Sequence, residues 1–114
     1  MQSKKYNGWT NYETWAVSLW IDNEESSYTH WREEAASELR DAGPSAYAKF
    51  TGREIFTPEE VAVLALEKAL KSEFEEKAPD LGASVWSDLL GAAMSEVNWH
   101  EIAEHLIDAA KESA

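Results

Sequence analysis

No cysteine occurs in the chain, which excludes disulfides and thiolate metal sites and fits a reducing compartment. The five glycines stand apart at positions 8, 43, 52, 82 and 91, so there is no Gly-rich loop to cradle a phosphate. Proline is scarce too, with three residues. No run approaches the roughly 18 uninterrupted apolar residues that a membrane span needs. Met1-Gln2-Ser3-Lys4-Lys5 leads into no apolar stretch, so a secretory leader is not expected. The scarcest property is positive charge: 10 Lys and Arg stand against 22 Asp and Glu, a net charge of −12. Lys4 and Lys5 lie at the very start, so from Tyr6 onward eight cations face all 22 anions. Such a surface repels nucleic acid and anionic lipid and attracts basic partners at long range. Solubility alone is the simpler role for that charge. The expected location is the cytoplasm, with no direct contact to nucleic acid or membrane.

What the chain does have is apolar surface and helix punctuation. Hydrophobic residues make up 44% of its 114 residues, with six Trp, four Tyr and three Phe, enough to build one core. Thr10 with Glu13 three residues later reads as a capping box. Tyr12, Trp15, Ala16, Leu19 and Trp20 then follow helical spacing until Asp22-Asn23. A second helix is expected from Ser26 to Ala42, stopped by Gly43-Pro44, with Tyr28, Trp31, Ala35 and Leu39 inward. Ser45 to Phe50 suggests a short helix, and residues 52–57 a short extended segment. Thr57-Pro58-Glu59-Glu60 is the strongest helix start in the chain, with cap, first-turn proline and reciprocal Glu in order. Val61 to Leu66 follow without a polar residue, which marks a buried, central helix that Pro79 ends. Ser84 opens another helix using Val85, Trp86, Leu89, Leu90 and Ala93. Asn98 with Glu101 opens the last, with Trp99, Ile102, Ala103, Leu106 and Ala110 inward. The prediction is all-α: one domain over 1–114, a compact irregular bundle of five to six helices, with residues 1–8 as a flexible terminus.

Catalytic signatures are missing. His100-Glu101-Ile102-Ala103-Glu104-His105 resembles a zinc-protease helix, but its two His are five apart, not four. Five helical steps turn about 500°, which leaves the two rings roughly 140° apart on the helix. His100 with Glu104, and Glu101 with His105, do share a face, as ordinary His–Glu surface pairs do. There is no cysteine nucleophile and no Gly-x-Ser-x-Gly elbow, and no cofactor or metal is expected. The chain reads as a binding protein, not an enzyme.

Two acidic rows are the candidate binding surface. Glu101, Glu104, Asp108 and Glu112 step by 3, 4 and 4 along the last helix, opposite its apolar stripe. Glu33, Glu34, Glu38 and Asp41 form a second group. Anions several ångströms apart on a rigid rod imitate a phosphate backbone, the feature that draws nucleic acid into basic clefts. An ordinary solvated helix face accounts for the same pattern. Trp9 is either a lid over the core or an anchor for a partner.

The blocks Gly8-Trp9-Thr10-Asn11-Tyr12-Glu13-Thr14-Trp15 and Asn98-Trp99-His100-Glu101-Ile102-Ala103 resemble two signatures of a group of small uncharacterised proteins of bacteriophages, plasmids and other mobile elements. No functional residue follows from the resemblance. It implies a mobile-element setting, where small acidic proteins counter host restriction and CRISPR systems, some by mimicking DNA. The expected function is therefore a non-enzymatic inhibitor, of anti-CRISPR or antirestriction type, that meets a basic host defence effector. The alternative is a structural or assembly protein that self-associates, for instance as a homodimer, through aromatic surface.

Overall fold

The computed structural model describes residues 6–42 and 57–113. These form five helices: α1 (Tyr12–Asn23), α2 (Glu25–Asp41), α3 (Pro58–Lys77), α4 (Val85–Glu96) and α5 (Trp99–Ser113). The architecture is all-α, as the periodicity predicts, and the described residues contain no strand beyond one isolated bridge. The helix and the extended segment expected between 45 and 57 fall outside the described residues, save Thr57, which caps α3.

Local chemistry fixes most helix starts. The Thr57–Glu60 box closes in both directions: Glu60 N donates to Thr57 Oγ1 at 3.1 Å, and Thr57 N donates to Glu60 Oε1 at 2.8 Å. Ser84 Oγ accepts from Ser87 N at 3.2 Å and starts α4. Asn98 Oδ1 accepts from Glu101 N at 3.0 Å and starts α5. Two starts differ from expectation. Asn11, not Thr10, caps α1, accepting from Thr14 N at 2.9 Å. α2 begins at Glu25 behind Glu24, which makes no side-chain cap.

α2, α3 and α5 pack on one another around the core. α5 runs antiparallel to α3, with His100 beside Glu67 at one level and Lys111 beside Glu59 at another. The start of α2 lies against the end of α3, where Trp31 stacks on Phe74 and Phe74 meets Trp99. Val61, Ala62, Val63, Leu66 and Leu70 of α3 are buried, which matches the apolar run after its cap. Ile102, Ala103, Leu106 and Ile107 supply the α5 side.

α1 turns a different face inward from the one its aromatics suggest. Thr14, Ser18 and Ile21 are buried, while Tyr12, Leu19 and Trp20 are exposed, Trp20 at 72%. α4 buries no residue, and Val85, Trp86 and Leu89, expected inside, face solvent.

Before α1 the chain makes a two-residue turn. Tyr6 and Trp9 exchange backbone hydrogen bonds at 3.0 and 2.7 Å across Asn7-Gly8. Both turn residues have positive φ, 49° and 90°, the requirement that makes Asn-Gly the favoured pair for tight hairpins. Residues 6–8 thus belong to the folded body, not to a flexible terminus.

Candidate partner-binding surface

The two sequence blocks singled out above meet in space, and their polar groups are engaged with each other. Glu101 Oε1 accepts from Thr10 N at 3.1 Å. Thr14 Oγ1 accepts from Asn98 N at 2.9 Å and donates to Asn11 Oδ1 at 2.6 Å. Asn11 Nδ2 donates to Glu96 O at 2.7 Å. Trp9 lies over His105 with ring centroids 4.1 Å apart. Four residues around the α4–α5 junction are thereby clasped by the segment that leads into α1. Backbone donors that would otherwise be orphaned at two helix starts are satisfied here, which is an architectural role.

This clasp corrects one sequence expectation. Glu101 lies in the acidic row by helical spacing, yet it is buried, at 3% exposure. The hairpin from Tyr6 to Thr10 covers the outer face of α5 at that level, so Glu101 cannot present charge to a partner. Trp9 is half-buried and packed on the core, the lid arrangement.

The remaining α5 carboxylates are exposed: Glu104, Asp108 and Glu112. Glu104 and Asp108 line a groove of about 310 Å³ together with Glu59, Glu60 and Val63 from the first turn of α3. Sequence reasoning assigned Glu59 and Glu60 to capping alone. Antiparallel packing of α3 on α5 is what brings them beside the α5 row, a long-range fact that no local spacing encodes. Lys111 reaches Glu59 at 3.1 Å, and His100 reaches Glu104 at 3.4 Å. Asp108 and Glu112 have no ion-pair partner among the described residues.

The α2 acids do not form one face. Glu34, Glu38 and Asp41 continue the helical line of His30, whose ring reaches Glu73 of α3 at 3.4 Å, so they sit on the flank toward α3. Glu33 stands on the other flank, beside Arg32 and Arg40, where α2 meets Ala109 and Ala110 of α5. Burial pushes the Glu38 carboxyl above its ordinary value, and the neighbouring charges of Glu34 and Asp41 push the same way. Toward the end of α3 two acids are paired along the helix, Glu73 with Lys77 and Glu75 with Lys71.

His100 is the other perturbed group. A 2.9 Å hydrogen bond to Glu67 raises its pKa, partly opposed by burial and aided by the charge of Glu104. Among the described residues no cluster of three His, Asp or Glu has the spacing to hold a metal ion. Glu101 is turned to Thr10 and His105 to Trp9, so the second His–Glu pair is committed elsewhere. No helix among the described residues is long and apolar enough to cross a membrane.

A family model matches residues 2–112 of the chain, and its description is "Family of unknown function (DUF7249)". No curated protein and no solved structure matches it.

Proposed function

Starting from the fact that this chain belongs to that family of unknown function, we propose that it is a non-enzymatic binding protein. Its carboxylate edge between α3 and α5 engages the basic nucleic-acid channel of another protein. In the mobile-element setting that the two sequence blocks imply, that partner is a host defence effector of the restriction or CRISPR class, which the chain inhibits as a DNA mimic. The protein works in the host cytoplasm.

One observation carries this reading. Glu59, Glu60, Glu104 and Asp108, from two helices far apart in sequence, converge on one groove that His105 also lines, with Lys111 on Glu59 and His100 on Glu104. Glu60 closes the α3 capping box and Glu59 pairs with Lys111, but Glu104 and Asp108 packed against them add like-charge repulsion that solubility alone does not require. Glu112 and Asp41 lie in the last turns of α5 and α2, where a carboxylate opposes the helix dipole. Dispersed charge would give the same solubility without either cost.

The test is retention of purified restriction and CRISPR effector proteins on the immobilised chain. The reading expects at least one effector to be held at low salt and released as salt rises, because exposed charges are screened. Reversal at Glu104→Lys with Asp108→Lys should abolish retention. Loss of neither binding nor inhibition in that double variant would refute the assignment of this edge.

A further inference from the structure

The outer face of α4 has no counterpart within the described part of the molecule. Val85, Trp86 and Leu89 lie on one side of the helix and are exposed at 61%, 66% and 57%, and Leu81 just before the helix is exposed as well. Taking the large side chains at roughly 150–250 Å² each, they leave on the order of 400 Å² of apolar surface in contact with water. That is about the apolar share of the ~800 Å² that one partner contributes to a standard interface. A contiguous patch of this size marks an interaction surface on a soluble protein.

We propose that this face pairs with the same face of a second copy, so that the protein forms a twofold dimer through α4. Two further observations select a second copy as the occupant. The first is charge. From Leu81 to Ser95 the only charged residue is Asp88, in a chain of which 28% is charged. Two molecules of net charge −12 meet with least repulsion here.

The second is shape. The exposed stripe of α4 has its bulk at one end, in Val85 and Trp86, and continues past Leu89 into the exposed Ala92 and the half-buried Ala93. Antiparallel pairing about a twofold axis at Leu89 sets Trp86 against Ala93 of the second copy and Val85 against its Ala92. Large side chains then meet small ones on both flanks, and Leu89 meets itself at the centre. A face that is its own complement is what a twofold interface demands. Ala92 is exposed and small, so a second helix can approach closely at that end of the stripe. The dimer lies away from the carboxylate edge, so it holds or fails independently of the proposed function.

The chain's lack of cysteine makes the test clean. Leu89→Cys should form a disulfide-linked dimer rapidly on mild oxidation, because the two copies of residue 89 face each other. Leu19→Cys, on the exposed face of α1, should stay monomeric. Sedimentation across a concentration series should show a monomer–dimer equilibrium for the unmodified chain. Leu89→Lys should weaken it by about a hundredfold or more, as expected for a charge buried at an interface centre. Because position 89 is exposed, helical circular dichroism should be unchanged in that variant, which separates lost association from lost folding. A chain that is monomeric at every concentration would overturn the proposal. So would a dimer that tolerates Leu89→Lys, or one that cross-links through Leu19→Cys in place of Leu89→Cys.

Discussion

Thr14 shows most clearly how a single side chain holds this fold together. Its hydroxyl, fully buried, accepts from Asn98 N and donates to Asn11 Oδ1, tying the start of α1 to the start of α5. Thr14→Val keeps the shape and deletes the hydroxyl, leaving Asn98 N without its partner. Stability to urea should fall by about 1–3 kcal/mol, the cost of an unsatisfied buried donor. Thr14→Ser, which keeps the hydroxyl, should lose less. Glu38 gives a prediction with the opposite sign. Its folded-state pKa is raised, so its ionised form is disfavoured in the folded protein. That penalty is present above the raised value and disappears as pH falls below the ordinary carboxylate value of 4.5. Glu38→Gln should therefore stabilise the protein at neutral pH and give no gain near pH 4, read from unfolding midpoints at both pH values. For His100, whose pKa is raised by Glu67, the linkage favours folding below the ordinary value of 6.5 and fades as pH climbs through the raised one.

The helices differ in how firmly they are anchored, and that follows from what each buries. α3 contributes five buried residues, and Leu66→Ala should cost about 2–5 kcal/mol by leaving a cavity. α4 buries none, so its amides should exchange with solvent well before those of α3 and α5, and faster still at concentrations too low for association. Equal protection of α3 and α4 in dilute protein would contradict this. The same contrast separates what the sequence discloses from what it hides. Caps such as Thr57–Glu60, Ser84 and Asn98 are local chemistry and were legible, as was the buried run after Pro58. The inward faces of α1 and α4 were not. In α1 the large aromatics at 12, 15 and 20 suggest the core side, but the helix docks closely through Thr14 and Ser18, whose hydroxyls find partners or fit where a ring could not. Glu101 has the spacing of an exposed acid, and only a hairpin from the other end of the chain buries it. The convergence of Glu59 and Glu60 on Glu104 and Asp108 depends on the pairing of α3 with α5, which no single helix specifies.

The molecule as a whole separates its features by region. The two sequence blocks form an internal clasp, the α3–α5 edge gathers unbalanced negative charge, and α4 turns uncharged apolar surface outward. A dimer through α4 would carry two carboxylate edges, and a partner with two basic sites would be held more tightly by both than by either alone. The central claim concerns the edge itself: its carboxylates occupy the place of phosphates in a basic channel. Competition tests this most directly. A short fluorescent duplex is bound to each purified restriction or CRISPR effector, and the chain is added at low salt. The account predicts that the chain displaces the duplex from at least one effector and that the Glu104→Lys, Asp108→Lys variant does not. An undisturbed duplex on every effector, or equal displacement by the charge-reversed variant, would contradict it.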